Sequence, residues 1–193
     1  MNYLAHCFLS HETPAAVLGG MLGDFVKGAL DDRFASPIKE GIVLHRKIDS
    51  YTDAHSVVLA SKRLVSRQRR RYAGIMVDLF YDHFLARHWA EFSVTPLPDF
   101  TRRIYGILNQ HREFLPGRLQ HILPYMAGDD WLGSYAELWA VGAALNGMSK
   151  RLKRENGLVN SVEELRANYA QLEDHFLCFF PDLVHYVSAR KRC

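Results

Sequence analysis

Residues 41–53, GIVLHRKIDSYTD, set a histidine, an arginine, a lysine and two aspartates into a segment whose apolar residues recur at helical spacing. Upstream, Ser36 reads as an N-cap and Pro37 as the first helical residue, while Ile38, Ile42 and Ile48 mark an inward stripe. Positions four apart on a helix share a face, so His45 projects with Asp49, Asp49 with Asp53, and Arg46 lies alongside. A fold that takes this much charge next to its core must pair it, hydrogen-bond it or give it an ion.

Two further segments pose the same problem. YAGIMVDLFYDHFLARHWAEF, residues 72–92, reads as a long amphipathic helix on which Asp78 and Asp82 share a face and His83 adjoins them, among Leu79, Phe80, Phe84 and Leu85. In GGMLGDF, Asp24 follows Gly19, Gly20 and Gly23, glycines that allow a second helix to approach closely. This is no phosphate loop, because no lysine and Ser or Thr follow the last glycine. His6 lies in the apolar NYLAHCFL, open to a core or a ligand role, and the other histidines, His11 among them, read as surface or helix-end groups. Oxygen and imidazole donors of this kind suit hard or borderline divalent ions such as Mn²⁺ and Mg²⁺, yet His/Asp pairs at helical spacing also serve as structural links.

Helical periodicity extends to residues 15–30, 100–114, 131–154 and 162–180, with a short helix after Pro181 and a turn at 128–130. Ser161 and Glu164 form a capping-box pattern, and Trp131, Tyr135 and Trp139 recur every four residues as a core stripe. No strand ladder, fixed-period repeat or low-complexity tract is visible, so the expectation is an all-α helical bundle in which residues 1–193 make a single domain. MNYLAHCFLSHE has neither a secretory signal's basic start nor a long apolar run, and no segment nears the roughly 20 apolar residues of a membrane span. A cytoplasmic location is therefore expected. Three cysteines without CxxC spacing suggest no disulfide framework or cysteine zinc site: Cys7 and Cys178 read as core and Cys193 as a terminal thiol.

The net charge of +3 conceals an uneven field. Lys62, Arg63, Arg67, Arg69, Arg70 and Arg71 fall in a window free of acids, and KRLKR at 150–154 and RKR at 190–192 bring these patches to +13 against −10 elsewhere. Such a distribution favours an acidic partner.

In order and spacing, MNYLAH, LGDF, GIVLHRKIDSYTD and DLFYDHFLARHW resemble the acyl carrier protein phosphodiesterase family, also called acyl carrier protein hydrolase, over roughly the first ninety residues. The resemblance implies a divergent, HD-like all-α phosphohydrolase that cuts the phosphodiester joining 4′-phosphopantetheine to a serine of acyl carrier protein. It points to Asp24, Asp49, Asp82 and His83 as ligands of Mn²⁺ or Mg²⁺, with His45 the alternative to Asp49, and to His45, Arg46, Asp49 and Asp78 as catalytic groups. His6 and Asp53 are secondary candidates. The doublet Asp82-His83 reverses the His-Asp order of ordinary HD enzymes, so ligand roles do not transfer in chain order. On this reading Arg46 grips a phosphate oxygen, the histidine not used as a ligand protonates the departing serine oxygen, and Lys62 to Arg71 docks the acidic carrier. The competing expectations are an HD-like nucleotide or nucleic-acid phosphohydrolase and a helical binding protein without turnover.

Overall fold

The structure, a computed structural model, describes residues 1–10, 13–30, 32–152, 154 and 156–191, the last without its side chain. Expectations for His11, Lys153, Arg192, Cys193 and the side chain of Lys191 lie outside the described residues. Among the described residues the fold is all α: α1 (Tyr3–Leu9), α2 (Pro14–Leu22), α3 (Ser36–Ala54), α4 (Ser56–Leu64), α5 (Ala73–Arg87), α6 (Trp89–Phe92), α7 (Leu97–Gln110), α8 (Gly117–Gly128), α9 (Trp131–Ser134), α10 (Leu138–Ser149), α11 (Val162–Ala167) and α12 (Tyr169–Lys191). None of these helices is long and apolar enough to cross a membrane.

The centre is α5, where Leu79, Phe80, Tyr81, Phe84 and Leu85 are all fully buried. Around it pack α1, α4, α10 and α12, the last contributing Phe176, Phe179 and Phe180. On one side α2 and α3 cross with their backbones in contact. A Cβ on Gly19 would lie 2.5 Å from the Gly41 Cα, so no side chain fits at that crossing. This close approach sets the distance between the Asp24 turn and the middle of α3.

Several expected helices are divided. Residues 72–92 break at His88, and 162–180 break at Asn168. Residues 131–154 break after Tyr135, whose carbonyl accepts a hydrogen bond from His83 Nδ1 at 2.7 Å instead of continuing the helical ladder. The break turns Trp139 outward, 66% exposed, and leaves Trp131 at the surface too, so only Tyr135 of that stripe is core. The expected helix after Pro181 is instead continuous with the one before it. Phe176, Phe179 and Phe180 precede the proline and Leu183 and Val187 follow at helical spacing, and burial of that stripe offsets the proline's cost of about 3 kcal/mol. Ser161 makes no capping box: its hydroxyl donates to the Leu158 carbonyl, and Glu164 reaches back to the Ser66 amide at 3.0 Å. Cys7 is buried as expected, but Cys178 is exposed.

Candidate metal centre

Helix α2 stops at Leu22 because Gly23 opens a turn, in which the amides of Phe25 and Val26 both bond to the Leu22 carbonyl. The turn leaves Asp24 half exposed beside α3. Gly23 is needed here for another reason: a Cβ on it would sit 2.1 Å from the His45 ring. Pressed against that backbone, His45 is 2% exposed and donates Nδ1–H to the Gly20 carbonyl at 2.8 Å, which turns Nε2 toward Asp49 (3.1 Å) and Asp24 (3.6 Å).

His6 arrives from α1. Its ring stacks on His45 with centroids 3.8 Å apart, and its Nε2 lies 3.1 Å from the other oxygen of Asp49. Asp49 thus bridges two buried imidazoles while its own side chain stays 39% exposed. The donor atoms of His6, His45 and Asp49 all lie within 4.8 Å of one another, with Asp24 at the mouth. A recess of about 260 Å³ opens over His45, Asp49 and Asp24, walled by Gly23, Val26, Lys27, Arg46 and Ser50, while His6 contacts Asp49 without lining it. Arg46 donates to the Val26 carbonyl at 2.8 Å, which holds its guanidinium at this rim beside Lys27.

The electrostatics follow from burial and pairing. Burial works against a charge on His45, but Asp24 and Asp49 outweigh it and lift its pKa to about 9. Burial alone would raise Asp49; bonds from His45 and His6 and the nearby α-amino group of Met1 hold it well below the usual carboxylate range. Asp24 is lowered against burial mainly by His45. His6 is lowered by burial, and its Nδ1 is a buried nitrogen without a hydrogen-bond partner. The donor set fits a divalent ion: an imidazole that gives one N–H to a carbonyl presents the other nitrogen as a ligand, and two carboxylates beside it supply the negative charge.

The other expected site residues do other things. Asp82 is fully buried and accepts the Leu4 amide at 2.8 Å and the Ala5 amide at 3.2 Å, so it caps α1 from a distance. His83 is held at both nitrogens, by the Tyr135 carbonyl and by the Tyr169 hydroxyl at 3.0 Å. Burial has each of them satisfied by the fold itself. Asp78 binds the Met1 α-amino group at 3.0 Å, and Asp53 pairs with Lys62 at 2.6 Å on the surface. Asp24, His45, Arg46 and Asp49 are therefore brought together, and His6 joins them as a full member.

The basic segment is divided in the same way. Arg69 donates to the carbonyls of Gly157 and Val159, both at 2.7 Å, and Arg70 to those of Arg63 and Val65. Arg63, Arg67 and Arg71 are exposed and have no ion pair among the described residues.

Comparison with known proteins gives the same family as the motifs. The acyl carrier protein phosphodiesterase profile matches residues 1–183. The chain belongs to that family. It is 37% identical over 192 residues to the acyl carrier protein phosphodiesterase of Serratia proteamaculans (strain 568), covering 99% of this chain and 100% of that protein. The Yersinia pestis protein of the same name is 35% identical with the same coverage, and that of Escherichia coli O45:K1 is 33% identical over 195 residues, 98% of this chain and 99% of the relative. No solved structure matches.

Proposed function

We propose that this chain hydrolyses the phosphodiester linking 4′-phosphopantetheine to a serine of acyl carrier protein, releasing apo-carrier and 4′-phosphopantetheine, and that it does so with a divalent ion held by Asp24, His45, Asp49 and His6. The relatives' name supplies the substrate. The observation that carries the chemistry is the convergence of two buried imidazoles on one carboxylate, Asp49, which with His45 lines an open recess. Two nitrogen donors with two carboxylates favour Mn²⁺ over Mg²⁺, which prefers an all-oxygen shell and keeps several waters.

When bound, the ion would supply Lewis acidity, making a bound water more acidic than bulk water and drawing charge from a phosphoryl oxygen. The chain's own residues do the rest. Asp49 holds both imidazoles in place. Gly20 fixes the His45 tautomer through Nδ1. One Arg46 donor is committed to Val26, which leaves the rest of the planar fork to grip a nonbridging oxygen, with Lys27 as a second cation at the same rim. Since His6 and His45 both turn Nε2 inward, the departing serine oxygen takes its proton from water at the exposed rim. The free cations Arg63, Arg67 and Arg71 serve the approach of an acidic carrier.

The test is mass spectrometry of holo-acyl carrier protein incubated with this protein, with Mn²⁺, with Mg²⁺ and with chelator. Loss of the 4′-phosphopantetheine mass is expected with Mn²⁺ and not with chelator, and Asp24→Ala should remove it. Cleavage of a control oligonucleotide or cyclic nucleotide with no action on the carrier would overturn the substrate assignment.

A further inference from the structure

The bond proposed to break is attached to a side chain of the carrier itself, and this fixes how near the carrier must come. Three single bonds of about 1.5 Å each join a serine Cα to the phosphorus, so the carrier backbone stands within about 5 Å of a phosphate seated in the recess. At about 260 Å³ the recess holds a phosphodiester and little else, and whatever surrounds its mouth meets protein.

Two elements make that rim. The turn after α2 brings Lys27 and Gly28, both exposed. Gly28 has φ +77°, a backbone conformation that favours glycine, and open space lies where a Cβ would point, so this side of the rim is bare main chain. On the other side runs α3. Arg46 and Ser50 line the recess, and Val43 and Lys47, at spacings of three, four and seven from them or from each other, form the next row outward on the same helix face. Val43 is 38% exposed, and Lys47 is exposed too. From α12 the Tyr186 hydroxyl reaches the Lys47 carbonyl at 3.5 Å, and the Arg190 guanidinium lies 3.5 Å from the centre of the Tyr186 ring, so a further cation continues the row.

Charge decides what this face accepts. Lys27, Arg46, Lys47 and Arg190 have no ion pair among the described residues. Of the acids nearby, Asp24 and Asp49 are committed to the cluster and Asp53 to Lys62, and Glu40 lies a turn before Val43. Resting on the proposed hydrolysis, we infer that the solvent face of α3 around Val43 and Lys47, with the turn at Lys27 and Gly28, is the surface on which the acidic carrier seats. The carrier's acids lie opposite Lys47 and Arg190, and an apolar side chain near the modified serine lies opposite Val43. Arg63, Arg67 and Arg71 draw the carrier in from a distance, and this face makes the contact.

Photo-crosslinking locates the contact without relying on turnover. With p-benzoylphenylalanine at position 43 of the full-length protein, irradiation should capture holo-acyl carrier protein through residues next to its modified serine, read by mass spectrometry of the adduct. The same probe at position 139, on a cavity that shares no lining residue with the recess, should not capture it. In kinetics, Lys47→Glu and Val43→Asp should each raise KM for holo-carrier about tenfold while kcat stays within about twofold and melting is unchanged. A loss confined to KM separates a docking contact from a structural role of α3. Capture through position 139 and not 43, capture of a second copy of this chain alone, or a parental KM in both variants overturns the inference. A protein whose probe at position 43 captures the carrier but which releases no 4′-phosphopantetheine rejects the hydrolase reading and keeps the surface; one that releases it with a parental KM in both variants does the reverse.

Discussion

Helices α3 and α5 each set an aspartate and a histidine inside an apolar pattern, four residues apart on α3 and adjacent on α5, and the fold uses them in opposite ways. On α3, the atoms of His45 and Asp49 that backbone does not occupy face a recess open to solvent. On α5, both Asp82 oxygens and both His83 nitrogens are taken by amides, a carbonyl and a hydroxyl. What separates the solvent-facing cluster from the enclosed one here is spare donor capacity. Burial decides it: an acid with no solvent access must be satisfied by its neighbours, and once satisfied it has little left for a ligand.

The sharpest way to break this contrast is to remove each acid in turn. Asp49→Ala should cut 4′-phosphopantetheine release at least about a hundredfold, with melting changed far less. Asp82→Ala should act chiefly on stability, since each buried amide left unpaired costs about 1–3 kcal/mol, and together they lower the melting temperature by roughly 5 °C or more. Asp82→Asn keeps an acceptor and should recover part of that loss. Matching losses of activity with no difference in melting would erase the distinction.

An intermediate effect is expected among the arginines. Reversing Arg63, Arg67 and Arg71 to glutamate should lower kcat/KM for the carrier about tenfold at low salt, with the gap closing as salt is added. Arg69→Ala should instead lower the melting temperature, because its guanidinium ties the Gly157 and Val159 carbonyls to the turn before α5. If Arg69→Ala gave the salt-dependent kinetic loss and the triple reversal gave none, docking would lie elsewhere.

The smallest effect concerns His88, held between Glu91 (2.7 Å) and Glu173 (2.8 Å). Burial lowers its pKa, but the two carboxylates outweigh it and the net shift is upward. A raised folded pKa stabilises fully below the unfolded value of about 6.5 and is lost as pH rises through the folded one. His88→Gln should therefore melt below the parent at about pH 6, by less than about 1 kcal/mol, and the two should converge as pH rises above the folded pKa. A constant difference across that range would show that the contact does not depend on charge.

The helical class, α3, most of α5 and the shared face of His45 and Asp49 were legible in the residues themselves, because each rests on local periodicity or on spacing of a few positions; the nearness of Asp24 to them is a contact between separate elements. What was not legible depends on contacts far apart in the chain. Asp82 and His83 looked like ligands until the amides of Leu4 and Ala5 and the carbonyl of Tyr135 were seen against them. His6 looked like one of two options for the converse reason, since its partner Asp49 is 43 residues away. Helices α1, α4 and α8 were not anticipated: α1 and α4 are short, and α8 carries Pro124 in its interior. The one local hint for His6 was its place in an otherwise apolar octet, where a histidine needs a reason to be buried.

The dependence of α1 on Asp82 has a consequence for how the protein assembles. A seven-residue helix is far too short to persist by itself, and this one receives its two cap bonds from an acid 77 and 78 residues downstream. Its first turn therefore has to wait until α5 has been made and has collapsed against it, a contact of long loop closure that belongs late in folding. His6 stacks on His45 from this same helix, so its position in the cluster depends on the long-range contact that caps α1.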